Sequence, residues 1–254
     1  MAAAENIIEL RDLVKNFGRQ RVLDGLNLTI PRGRITVIIG RSGGGKSVLL
    51  KHMIGLIKPD AGQVLVGGQD IGHLDDRQLN QIRRRFGMLF QDAALFDSMS
   101  VFDNVAFPLR EHTSHSAAEI ARIVADKLRM VGLPGVEAKM PSQLSGGMRK
   151  RVGLARAIAL EPEIVLYDEP TTGLDPLMTE AINRLIADTQ ERLGITSVVI
   201  SHDIAGALKI AHQIAMLYQG RIIASGSPEQ IGDSDDPVVR QFISGSVEGP
   251  IEVL

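Results

Sequence analysis

The chain has 254 residues, 44% of them hydrophobic, which is enough for one large α/β domain or a core with a smaller appended subdomain. A net charge of -2 and a pI near 6.3 leave no basic field to grip a phosphate backbone, so nucleic acid is not an expected partner. The absence of cysteine excludes a disulfide framework and a thiolate metal site.

The start, MAAAENIIELRDL, has neither a basic n-region nor an unbroken apolar h-region. No later apolar run approaches the ~20 residues that cross a bilayer, so a cytosolic, soluble chain is expected. Ile7, Ile8, Leu10, Leu13 and Val14, then Leu26, Leu28 and Ile30 in alternation, predict a small antiparallel layer ending at the turn Pro31-Arg32-Gly33. ITVII at 35–39 is a short apolar run rich in β-branched residues, as are IVLY at 164–167 and SVVI at 197–200. Runs of this kind suit strands buried on both faces of a parallel sheet with flanking helices. Between roughly 100 and 160 the pattern turns helical, with Ile120, Ile123, Val124, Leu128 and Val131 on one face, and predicts a helical insertion in the α/β core. A strand pair around Gly220 and a polar tail follow.

The chemistry-bearing motifs come in the same order. GRSGGGKS, from Gly40 to Ser47, fits GxxxxGK[ST] between a buried strand and an amphipathic run that begins at Val48. Gly43, Gly44 and Gly45 let the backbone turn its N–H groups inward with Arg41 and Ser42, while the following helix points its positive end at an anion. Lys46 would neutralise β- and γ-phosphate charge and Ser47 would offer its hydroxyl to Mg²⁺. An unliganded glycine-rich turn is the bland alternative. Gln91 follows the apolar FGMLF, where it is placed to sense Mg²⁺ or water. Four of the seven phenylalanines, Phe90, Phe96, Phe102 and Phe107, then crowd into FQDAALFDSMSVFDNVAFPLREH. Apolar residues at helical spacing usually pack inward, so at least two of the four are expected in the core.

LSGGMRKR places Ser145, Gly146 and Gly147 at a helix start, a second anion-binding end. One phosphate loop does not need two such ends, so the second is expected to serve ATP held by another copy of the chain; a capped helix start is the alternative. IVLYDEP delivers Asp168 and Glu169 to the C-terminal end of a strand, the edge where α/β sheets bind ligands. There Asp168 would hold Mg²⁺ and Glu169 would accept a proton from, or orient, the attacking water. The alternative is an acidic pair opening a helix. His202 follows TSVVIS at a similar edge.

The ordered set GRSGGGKS, Gln91, LSGGM, IVLYDEP, Gly173-Leu174-Asp175 and His202 resembles the ATPase domain of ABC transporters over about residues 5–230. That resemblance implies a P-loop NTPase α/β fold with a parallel sheet, an N-terminal antiparallel β layer and an inserted helical subdomain. The expected divisions are an ATP-binding core at 5–90 and 160–230, a helical subdomain at 91–159 and a C-terminal extension at 231–254. It also implies ATP and Mg²⁺ as ligands, a homodimer that shares its two nucleotides through Ser145, Gly146, Gly147 and Asp175, His202 near the γ-phosphate, and Phe17 stacked on adenine. ALFDSMSVFDNVAFPLREH, together with Met148 where most relatives carry glutamine, resembles more narrowly the ATPases of Mla-type, MCE-linked phospholipid transport. From this come an integral membrane permease docking near Gln91–Phe107, an MCE-type lipid-binding protein acting indirectly, a small regulatory subunit at the C-terminal extension, and a peripheral place on the inner face of the cell membrane. A cassette for another substrate, or a soluble ABC ATPase acting on ribosomes, DNA or metal-cluster assembly, are the rival readings.

Overall fold

Alternating apolar and polar side chains build the first sheet. The structure, a computed structural model, describes residues 5–252; Val253 and Leu254, which end the expected C-terminal extension, lie outside the described residues. β1 (Asn6–Phe17) and β2 (Gln20–Pro31) pair antiparallel, with Leu10 opposite Leu28 and Leu13 opposite Leu26. β3 (Ile35–Ile39) is buried along its whole length and leads through the glycine-rich loop into α1 (Lys46–Met53). β4 (Ala61–Val66) and β5 (Gln69–Asp70) complete an antiparallel sheet in the order β2-β1-β4-β5. After α2 (Asp76–Arg83) come β6 (Phe86–Leu89), α3 (Val101–His112), α4 (Ala117–Met130), α5 (Gly146–Ala157), β7 (Ile164–Asp168), α6 (Pro176–Leu193) and β8 (Thr196–Ile200). The chain ends with α7 (Ile204–Ile210), β9 (Gln213–Tyr218), β10 (Arg221–Gly226), α8 (Pro228–Gly232) and α9 (Pro237–Ser244).

These elements form two units, one made of the described residues up to Asn80 with those from Val198 onward, the other of Gln81–Ser197. In the first, β9 pairs antiparallel with β10 and parallel with β3, and the N–H of Ser201, just past β8, donates to the Ile38 carbonyl at 3.2 Å. In the second, β6 and β7 are parallel, with Leu89 opposite Tyr167. The β-branched runs thus became the parallel strands and the alternating segments the antiparallel layer, as burial on two faces or on one requires. Among the described residues no helix is long and apolar enough to cross a membrane.

Serine caps set the starts of the inserted helices. Ser100, Ser116 and Ser145 each accept from the N–H three residues on, and Ser116 with Glu119 forms a full capping box. α4 buries Ile120, Val124 and Leu128 at four-residue spacing.

The expectation of core phenylalanines is corrected. Phe90, Phe96 and Phe107 are exposed and Phe102 is half-buried. Register explains it: Val101, Val105 and Leu109, with Ala106, occupy the inward stripe of α3, leaving Phe102 and Phe107 on its flanks. Phe107 rests instead on Phe96, with ring centroids 5.1 Å apart.

In the tail the returning chain is tied to α9 by a buried amide. Gln241, buried on α9, accepts from the Ile251 N–H at 2.6 Å and donates to the Ile251 carbonyl at 3.1 Å, so its amide pairs with the returning chain as a neighbouring strand would.

Two substitutions on α3 test this register. Leu109→Ala should cost about 2–5 kcal/mol of stability, whereas Phe107→Ala should cost no more than about 1.5 kcal/mol, the worth of an aromatic pair. Urea unfolding of both variants measures the difference.

Candidate functional site

The glycine-rich loop begins where β3 ends. At Gly40 (φ 149°) a Cβ would stand 2.3 Å from the Leu217 carbonyl oxygen, so no side chain fits there. Gly43 (φ 73°) and Gly45 (φ 97°) lie in the left-handed region, and the Gly44 N–H closes the turn on the Arg41 carbonyl at 3.1 Å. Gly45 is the N-cap of α1, and no side chain caps that helix end. Lys46 is buried and donates to the Gly40 and Arg41 carbonyls at 2.7 and 2.9 Å. A helix start without a side-chain cap, a loop turned by left-handed glycines and a buried ammonium suit a polyphosphate. Ser47 and Val48 continue the first turn, both half-buried.

Two further residues of this unit join the loop. The Ser201–Ile38 hydrogen bond makes His202, exposed at the end of β8, leave the sheet at the edge from which Gly40 departs. Phe17 is exposed at the end of β1 with the Lys15 ammonium 5.7 Å from its ring centroid, an accessible flat face rather than a packed one.

The second unit gathers the remaining residues by the same geometry. Because Leu89 is opposite Tyr167 in parallel strands, Gln91 and Glu169, each two residues further on, emerge at one edge. Asp168 closes β7 half-buried, and Glu169 follows with φ 48°, a left-handed conformation that costs a non-glycine residue about 1–2 kcal/mol. The next helix starts only at Pro176, so the acidic pair does not open a helix. Asp175 instead caps α6, accepting from the Leu177 and Met178 amides at 3.0 Å. Ser145 caps α5 and is exposed beside Gly146, while Gly147 is buried where a Cβ would meet the Met178 side chain at 2.3 Å.

Sequence reasoning missed the residues that shape the loop after Gln91. Ala93 and Ala94 both have positive φ, at 61° and 45°, and Arg156 of α5 donates to their carbonyls at 2.7 and 2.8 Å. Asn104, buried in α3, holds the next turn: it accepts from the Phe96 N–H at 2.8 Å and donates to the Phe96 and Met99 carbonyls at 3.1 Å. An arginine in an otherwise apolar helical run, VGLARAIAL, was the available signal for the first.

Comparison with known proteins agrees with this geometry. The ABC transporter family matches residues 23–172, and the chain belongs to that family. It is 47% identical to the intermembrane phospholipid transport system ATP-binding protein MlaF of Haemophilus influenzae, over 97% of this chain and 94% of that protein. MlaF of Escherichia coli K12 is 45% identical over 97% and 91% of the two chains. The protein named probable ribonucleotide transport ATP-binding protein mkl, of Mycobacterium tuberculosis, is 47% identical over 96% of this chain and 68% of its own length. Among solved structures, a dimeric ATP-binding cassette in a post-hydrolysis state with ADP and Pi superposes with a TM-score of 0.80 at 33% identity, covering 87% of this chain and 98% of that one. The cbiO1 protein of Clostridium perfringens, part of an ABC transporter complex, gives 0.84 at 30% identity over 93% and 94%.

Two histidines of the first unit, buried His52 and surface His212, make stability depend on pH. His52, at the end of α1, is fully buried, with Nδ1 2.8 Å from the Val48 carbonyl and no partner for Nε2; His212 accepts the Ile35 N–H on Nδ1 at 3.1 Å. Desolvation holds both imidazoles below the ordinary histidine pKa. The unfolded chain therefore takes up protons first, so stability present above about pH 6.5 is lost as the pH falls below it. Denaturant midpoints between pH 8 and 5 should decline, and the decline should be shallower for His52→Gln.

Proposed function

We propose that this protein is the ATP-hydrolysing subunit of an ABC transport complex that moves phospholipid between membranes through a permease partner. The observation that carries the ATPase reading is the phosphate loop, with its buried Lys46 and forced glycines, set at one sheet edge with His202. Near-full-length identity with the MlaF proteins supports the phospholipid reading over that of mkl, of which this chain spans only 68%.

Each residue then has a task. The amides from Gly40 to Val48, through Arg41, Ser42, Gly43, Gly44 and Gly45, surround the β- and γ-phosphates, and Lys46 exchanges its two carbonyl partners for phosphate oxygens. Ser47, Asp168 and Gln91 would hold Mg²⁺, which supplies charge neutralisation at those oxygens. Glu169 accepts a proton from the attacking water or orients it, His202 faces the γ-phosphate, and Phe17 stacks on adenine. Ser145, Gly146, Gly147 and Asp175 serve the nucleotide of a second copy, a reading supported by the dimeric state of the solved cassette.

The ATP-binding core is assigned to 5–90 and 160–230, and the helical subdomain to 91–159. The dimer sits at the inner face of the membrane beneath the permease, which docks on the exposed phenylalanines between Gln91 and Phe107. Exposed aromatic side chains resting on a loop fixed by Arg156 and Asn104 form a firm apolar surface of the kind partners use. An MCE-type lipid-binding protein acts through the permease, and a small regulatory subunit engages the extension at 231–254.

Replacing Glu169 with Gln should leave ATP binding intact and slow hydrolysis by about 10²-fold or more, trapping nucleotide in the dimer. Native turnover by that variant would remove the general-base assignment. Removing the Lys46 charge should instead weaken ATP binding itself, as equilibrium titration will show.

Phe96→Ser should spare folding and basal hydrolysis by the isolated protein while abolishing stimulation by the permease and lipid transfer between vesicles. Full stimulation in that variant would make the aromatic surface a packing feature only. Co-purification of the native complex separates a phospholipid system from one for another substrate.

A further inference from the structure

We propose that Lys150 is a positioning residue for hydrolysis: from α5 it fixes the turn on which Glu169 stands. The assignment rests on Glu169 acting on the attacking water.

Lys150 is 6% exposed, and a lysine is almost never so deeply buried without a specific partner. Its ammonium donates to the Thr172 carbonyl at 2.7 Å. Thr172 turns back on Glu169 twice, through its N–H to the Glu169 carbonyl at 3.3 Å and through its hydroxyl to Glu169 Oε2 at 3.1 Å. The links are therefore continuous from the ammonium to a carboxylate oxygen. Burial lowers the pKa of Lys150, and the charges of Asp92 and Glu169 act the other way, so the ammonium lies within the field of the carboxylate it helps to place.

The turn needs such a restraint. Glu169 holds φ 48°, a conformation unfavourable for a residue with a Cβ, which persists only when its surroundings fix it. Without the ammonium, the Thr172 carbonyl loses its donor and the four-residue turn can relax, taking the carboxylate with it. A displacement of about 1 Å at a catalytic group can cost on the order of 10²-fold in rate. Lys150 does not touch the nucleotide in this scheme, so nucleotide affinity should not follow the rate.

The test compares Lys150→Met, Lys150→Arg and Thr172→Val in the full-length protein, alone and combined with Glu169→Gln. Lys150→Met should lower kcat roughly 10- to 100-fold with KM, ATP affinity and Tm close to native, and Lys150→Arg should restore part of the loss. Thr172→Val, which keeps the carbonyl and removes the hydroxyl, should reproduce the defect from the other end and stands in if Lys150→Met folds poorly. In the Glu169→Gln background neither change should lower the residual rate further, because the group they position is gone. Native kcat in Lys150→Met or in Thr172→Val, with Glu169→Gln inactive, overturns the proposal alone. So do losses that multiply in the double variants, which mark a general structural role. Native turnover in Glu169→Gln overturns the underlying general-base reading and this proposal with it.

Discussion

A Cβ at Gly40 would stand 2.3 Å from the Leu217 carbonyl oxygen, so β3 can pass into the phosphate loop only through a residue without a side chain. Much of the first unit follows from that close approach. β9 is the parallel neighbour of β3, and its backbone fixes where the loop begins. The loop must then turn through left-handed glycines at 43 and 45 to reach α1, and this directs the Lys46 ammonium back onto the carbonyls it has just left. A phosphate arriving there meets a buried ammonium.

Three cations recur in the same chemical situation. Lys46, Lys150 and Arg156 each donate to loop carbonyls, at Gly40 and Arg41, at Thr172, and at Ala93 and Ala94. Carbonyl dipoles offer a buried cation a hydrogen-bond partner that carries no charge of its own. The bonds of Lys150 and Arg156 also restrain loops whose backbone is strained: Glu169, Ala93 and Ala94 have positive φ without being glycine. α5 supplies two of the three cations, linking the segment after Gln91 and the turn after Glu169 to one rigid helix.

The aromatic surface depends on the same helix. Arg156 lies 5.7 Å from the centroid of Phe96, whose ring packs on Phe107 of α3. Asn104 holds the intervening backbone in shape from beneath. Side chains held in this way have little conformational freedom left to lose if that surface is covered.

The sequence by itself determined the class of several strands and the order of the motifs. Period-two alternation marked β2, and short apolar runs marked β3, β7 and β8, because one-sided and two-sided burial impose different patterns. Glycines at 40, 43 and 45 and the lysine after them were legible for the same reason: few residue types can satisfy that backbone. Tertiary structure alone decided which phenylalanines of the Gln91–Phe107 segment are exposed, since aromatic residues on the flank of a helix and in its core share one spacing. It also decided the roles of Asn104, Lys150, Arg156 and Gln241, whose partners are mostly backbone carbonyls and amides. Every residue except proline carries both groups, so no side-chain pattern along the chain reveals which of them a distant cation or amide will find.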